Sequence, residues 1–312
     1  MKRYYLTLIS ICLSLSLFVQ AEKKDEVIKK NWSFGALPAI SFDADLGFQY
    51  GAVVNLFDYG DGSRYPQYDH SLYFEVSRYT KGSSTYRFYY NSDQLVKGIE
   101  TSFDLSYLTD QAYDFYGFNG FEALIHPEWI DTKDATYSTR MFYKYDRKLF
   151  RMKVDLQGKI SSDRFRWIAG INFQNFKVGS VNIDKINKGK SEEDKLPTTT
   201  EVPGLYEKYQ QWGIINVEEA NGGFVPTFKA GLVWDKRDNR PSPMKGIWTE
   251  AVVEASPKIF GAESSFTQLC LIHRQYFTLV PKIYRSPTDL DIRLLWQEMC
   301  LSIIVHRSLL QL

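Results

Sequence analysis

The sequence predicts an all-β, antiparallel architecture of the transmembrane-barrel kind, and three observations carry that expectation. Segments in which apolar and polar residues alternate recur about every ten to fifteen residues, the period-two pattern of strands with unlike faces. Beyond the N-terminal segment, no window offers about twenty consecutive apolar residues, which excludes a helical membrane protein. Aromatic residues make up 16% of the chain, with 21 Tyr and 21 Phe, a load suited to the two interfacial girdles of a barrel. The formal net charge of +1 gives no electrostatic case for nucleic acid.

Met1-Lys-Arg3 followed by an apolar and hydroxyl run from Tyr4 to Val19 and then Val19-Gln-Ala21 reads as a secretory signal peptide, residues 1–21, cleaved after Ala21. The run is too short to span a bilayer comfortably. Residues 22–31 form a charged periplasmic lead. After signal removal Cys270 and Cys300 remain, so no disulfide framework is indicated. The barrel region is 32–280. It opens with a hairpin, Phe34 to Phe42 and Phe48 to Phe57, around the turn Asp43-Ala-Asp45-Leu-Gly47. Leu72, Phe74 and Val76 then alternate with Tyr73, Glu75 and Ser77, and Tyr86, Phe88 and Tyr90 with Thr85, Arg87 and Tyr89. In the clearest segment Ile99, Thr101, Phe103, Leu105 and Tyr107 lie on one face, and Glu100, Ser102, Asp104 and Ser106 on the other.

Further on, Tyr137, Met141, Tyr143 and Tyr145 alternate with Arg140, Lys144 and Asp146, and Met152, Val154 and Leu156 with Arg151, Lys153, Asp155 and Gln157. Their basic residues are expected inside the barrel. A strand over Phe165 to Phe173 follows, and a further one is possible within 111–130. Residues 178–223 break the rhythm with polar stretches and suit a long extracellular loop. Phe224 to Trp234 and Ile247 to Ala255 form a hairpin whose connection should be periplasmic, and Phe266 to Val280 is the last strand. The tail, 281–312, has apolar clusters spaced as in a helix.

The hairpin connection carries Asp235, Arg237, Asp238 and Asn239, followed by Pro243 and Gly246. Asp, Asn, Pro and Gly are what any hairpin connection selects. In this order they resemble the D-x-R-D-N…P-x-x-G segment of the bacterial surface-antigen superfamily, the BamA- and TamA-like outer-membrane barrels. Phe115, Tyr116 and Gly117 are similar to the F-Y-G element of a superfamily loop, and the opening hairpin, with Pro38, resembles the start of that barrel. The resemblance implies about sixteen strands, of which about eleven are recognisable here, and residence in the outer membrane of a Gram-negative bacterium. It implies a role in inserting or translocating proteins, with outer-membrane lipid as surroundings and unfolded outer-membrane proteins or periplasmic assembly factors as partners. The periplasmic repeats and the V-R-G-F motif of the superfamily do not occur in this sequence. The loss of alternation at Lys282 points to a truncated or shifted reading frame. Two other classes stay open: a porin-like passive channel and a soluble exported β-sandwich or adhesin.

Catalytic constellations are scarce. His70, His126, His273 and His306 lack metal-ligand spacing, Asp58, Asp61 and Ser63 lack that of a calcium loop, and Gly189-Lys190-Ser191 lacks the upstream glycine of a phosphate loop. The expectation is a protein that is not an enzyme and takes no cofactor. If Leu105 faces lipid, Leu105→Arg should cost about 2–4 kcal/mol, and Asp104→Arg, facing the lumen, should be milder.

Overall fold

The computed structural model describes residues 28–118, 123–162, 164–238, 243–263 and 265–278, and the backbone of 293–304. The signal peptide, most of the lead and Asn239 lie outside the described residues. Twelve strands form one sheet: β1 (Trp32–Pro38), β2 (Ser41–Asp43), β3 (Gly47–Asp58), β4 (His70–Tyr79), β5 (Ser84–Val96), β6 (Ile99–Asp114), β7 (Lys144–Ser162), β8 (Phe165–Gly179), β9 (Gly222–Asp235), β10 (Gly246–Ser256), β11 (Phe266–Thr278) and β12 (Arg293–Ile304). All pairings are antiparallel, in the order β1-β3-β4 through to β12, so the described sheet is open. β2 continues β1 along β3, and the first of the two residues between them still donates to the ladder, Ala39 N to Gly51 O at 2.9 Å.

Side-chain alternation and strand register together sort the sheet into two unlike faces. Phe34, Leu56, Leu72, Tyr90, Phe103, Val154, Ile171, Phe228 and Ala255 are successive register partners from β1 to β10, an unbroken apolar row. A second row runs Val54, Phe74, Phe88, Leu105, Met152, Phe173. Cross-strand ring pairs knit these rows, with Phe74 and Phe88 at 5.1 Å and Phe88 and Phe103 at 6.0 Å, contacts worth about 0.2–1 kcal/mol each. The face is uncovered: Phe74 is 41% exposed, Val76 55% and Leu232 45%. Its two margins are aromatic. Tyr86, Tyr107 and Phe150 are register partners at one end, and Trp32, Phe165 and Trp234 stand at the other. From Asn175, level with that first margin, to Phe165 is ten residues of β8, about 33 Å at ~3.3 Å per residue. At a strand tilt of about 40° this is ~25 Å of height.

The connections also differ by end. One end has two-residue turns between β5 and β6 and between β7 and β8, and the β9–β10 connection. The mouth end carries 115–143 and 180–221. The latter was expected to be a polar loop. Instead it folds onto the mouth through α1 (Ile183–Asn187) and α2 (Leu205–Gln211), burying Val181, Ile183, Ile186, Leu196, Tyr206 and Ile215.

Further sequence expectations change. The segments around Tyr145 and Val154 are one uninterrupted strand, the 19-residue β7, and its regular alternation places Lys144 and Asp146 on the side of Phe150 and Met152, not inside. Residues 137–143 form no strand and end in turns at 140–143, with Met141, Phe142 and Tyr143 buried in succession, which no half-buried strand allows. In 111–130, β6 runs on to Asp114, and the remaining described residues hold a single 3₁₀ turn, Pro127–Trp129. Finally, 293–304 is a strand, with Leu269 opposite Ile303 and Leu271 opposite Leu301. A free edge on β11 supplies the backbone partners that override its helix-like spacing.

Candidate functional site

The polar face is organised by two carboxylates. Asp104, at 6% exposure, accepts from Arg87 Nε at 3.0 Å and Nη2 at 2.6 Å, from Arg151 Nη2 at 3.2 Å, and from Ser106 Oγ. Asp155 holds Lys153 Nζ at 3.1 Å and Lys229 Nζ at 3.0 Å. The second of these pairs joins β7 to β9 across β8, which is possible because Gly170 lies between them. A Cβ on Gly170 would stand 2.3 Å from Asp155 Oδ1 and 2.9 Å from Lys229 Cε. Beside these pairs lies a cavity of about 370 Å³, lined by Arg151, Lys153 and Lys229, by Asn172, Gln174 and Thr227, and at its mouth end by Leu149, Phe176, Val225 and Phe266.

A cap of loops stands over the mouth of this face. Phe115 is buried at its centre, ring edges against Tyr145, Tyr206 and Tyr209 at 5.8, 6.0 and 5.4 Å. Burial among these rings pushes the Tyr206 phenol well above its ordinary range, and its hydroxyl donates to Ala220 O. Across the mouth, Asp45 in the β2–β3 turn binds Lys190 Nζ at 2.8 Å and Arg140 Nη2 at 3.0 Å, and Lys81 Nζ donates to Ile186 O at 2.8 Å. Burial and the neighbouring Lys190 lower the Lys81 ammonium below its usual value. Four connections are thereby tied together over the polar face.

The residues singled out by sequence fall at opposite ends of the sheet. Phe115 and Gly117 belong to the cap: Gly117 has φ +85°, and a Cβ there would meet Tyr209 Oη at 2.2 Å. Tyr116 is half-exposed beside Tyr143, rings 5.4 Å apart. Asp235, Arg237, Asp238, Pro243 and Gly246 lie at the other end, where most of them lock the β9–β10 turn. Asp235 is buried and takes Arg237 Nε and Nη2, both at 2.9 Å; this bond, stronger than the opposing burial, holds the guanidinium pKa above its usual value. Arg237 also lies over the Trp248 ring at 4.3 Å. Asp238 accepts from Met244 N at 3.0 Å and Lys245 N at 3.2 Å. Gly246 has φ +112°, and a Cβ would stand 2.1 Å from Lys236 O. Gly246→Ala should therefore cost about 1–3 kcal/mol, read as a lower urea midpoint at unchanged slope. An unshifted midpoint would show that the turn does not need this conformation.

Sequence reading places Asp104 and Asp155 on polar faces without making either a site residue, and gives no role to Gly170 or Asp45. For the first two a signal was present: Arg87, Asp104, Arg151, Asp155 and Lys229 all occupy polar positions of alternating strands, with opposite charges on adjacent strands or, for Asp155 and Lys229, one strand apart. Register, which decides which of them meet, is not written in any single strand. No protein-family model and no curated protein matches the sequence. Among solved structures the chain is similar to the crystal structure of BamA from Haemophilus ducreyi lacking POTRA domains 1–3, with a TM-score of 0.41 and 14% identity. The match covers 81% of this chain and 39% of that one, so this chain spans well under half of its length.

Proposed function

We propose that this chain is a non-enzymatic β-barrel protein of a bacterial outer membrane, closed at the mouth by its own loops, with a role in inserting or translocating proteins there. The observation that carries the membrane reading is the register-matched apolar face, about 25 Å between aromatic margins, the height of a lipid-facing belt. Left in water it would be a far larger apolar patch than soluble proteins expose, and among the described residues no second sheet covers it, which weighs against an exported β-sandwich. The cap tied to Asp45 favours a closed mouth over a porin-like channel. The assembly role rests on the resemblance of the Asp235–Gly246 hairpin and of Phe115 to Gly117. Its partners would be unfolded outer-membrane proteins or periplasmic factors.

In lipid vesicles, fluorescent labels at Phe103, Leu105 and Tyr107 should be quenched by lipid-borne quenchers, and labels at Ser102 and Gln174 should not. Equal quenching of both sets would sink the membrane reading. Leu105→Arg should cost about 2–4 kcal/mol in the same vesicles. The assembly role has its own readout: vesicles holding the protein should speed the folding of a urea-denatured outer-membrane barrel. No acceleration removes that role and leaves the location standing.

A further inference from the structure

We propose that the 370 Å³ cavity on the polar face is a binding site for a small hydroxylated organic phosphate, of the size and kind of a hexose phosphate. The inference rests on the geometry of that face and not on whether the other face meets lipid. Its volume lies in the range of small-molecule sites. Four cations from two strands line it: Arg147, which is held by Asp110 Oδ2 at 2.9 Å, and Arg151, Lys153 and Lys229, whereas the carboxylate among its lining residues, Glu254, already accepts from Gln268 Nε2 at 2.6 Å.

The cations are only partly used by the protein. Asp104 is shared by two arginines and Asp155 by two lysines, so two carboxylates face four cations. Each lysine ammonium has three donors, and a carboxylate takes one geometry's worth of them. Arg151 reaches Asp104 and Ser106 through Nη2, and its Nε is buried without a hydrogen-bond partner. A surplus of fixed donors and positive charge in a part-buried cavity is what an oxyanion with several acceptor oxygens satisfies. The hydroxyls follow from a second orphan. Asn172 Oδ1 is a buried acceptor without a partner in the same lining, and a phosphate alone has nothing reliable to donate to it, whereas a sugar hydroxyl does. Gly170 belongs to the site as well. Without a Cβ there, Lys229 reaches across β8, which brings its ammonium to the same cavity as Arg151 and Lys153.

The test is calorimetric titration of the detergent-solubilised full chain with glucose 1-phosphate at fixed ionic strength. One site per chain is expected. Arg151→Gln and Lys229→Gln should each weaken binding at least about tenfold, a loss of one charge-assisted contact. Lys148→Gln, on the opposite face, should leave it within about twofold. Inorganic phosphate should bind more weakly than glucose 1-phosphate, and glucose alone should give no heat. Should either glutamine variant fail to fold, Lys153→Gln carries the same expectation and Lys229→Arg, which keeps the charge, should retain binding. No heat with glucose 1-phosphate, or equal weakening by Lys148→Gln, overturns the site. Inorganic phosphate binding as tightly as the sugar phosphate overturns the ligand class.

Discussion

Asp104→Arg is expected to destabilise the protein at least as much as Leu105→Arg, although the two positions are neighbours and only the second faces the apolar side. Asp104 is where Arg87 and Arg151 meet, with Ser106 as a third donor. An arginine there leaves three cations in one patch with no anion between them. Breaking a buried ion pair by removing one partner costs about 3–5 kcal/mol. Arg87 and Arg151 are 37% and 26% exposed on their side chains, so water relieves part of this and the lower end, about 3 kcal/mol, applies. The sequence alone led to the opposite ranking, because a polar face suggests a position open to water. Burial argues against that ranking: a polar position in a strand can be enclosed by long side chains from both neighbours. Urea midpoints of the two variants in the same vesicles decide it, with Asp104→Asn as a milder third point that keeps the shape. A cost for Asp104→Arg more than about 1 kcal/mol below that of Leu105→Arg would restore the earlier ranking and remove Asp104 from the centre of the network.

What the sequence made legible was whatever a single strand states by itself. Alternation in 99–107 gave the two faces of β6 correctly, and the hairpin around Asp235 and Gly246 lies where its turn residues put it. Strand number was legible only in part: β7 reads as two segments and β12 as a helix-like tail, because a long strand and one without alternation do not announce themselves by period. Lost were features that depend on neighbours. Lys144 was assigned to the interior because Tyr143 and Tyr145 mark the opposite face as the apolar outer one, whereas both rings are buried and Tyr145 packs against Phe115 in the cap. Insert 180–221 looked like solvent loop because its polar tracts outnumber its apolar residues. Ile183, Ile186, Leu196 and Tyr206 are too scattered to show a period, yet all are buried once the insert meets 115–143 and the β2–β3 turn. In the same way Phe115 and Gly117 were visible as a motif, but their purpose, a socket for Tyr206 and Tyr209, lies about ninety residues further along the chain.

That socket yields the second large effect, Phe115→Ala, which should open the cap without melting the sheet. Phe115 is 4% exposed, and its ring touches Phe118, Tyr145, Tyr206 and Tyr209. Deleting a phenyl group from so enclosed a place costs about 3–5 kcal/mol, because the rings around the cavity cannot all collapse into it. The cost should fall locally. The neighbouring strands keep their backbone ladders, whereas α2 has only seven residues and depends on packing against Phe115 and Tyr145 to stay folded. Trypsin cleavage after Lys208, which is half-buried in α2 with Nζ 4.9 Å from the Phe142 ring, reports this opening. Where reclosing is faster than cutting, the rate follows the open population, so about 3 kcal/mol corresponds to about a hundredfold faster cleavage. Gly117→Ala, which drives a methyl group into Tyr209, should accelerate the same cut, and Leu105→Arg, on the outer face, should not. Planar-bilayer conductance should rise in step with the cleavage rate if the cap is what closes the mouth. Unchanged cleavage at Lys208 together with a lower unfolding midpoint would mean that Phe115 supports the sheet itself, and that the loops above it are not a separately opening cap.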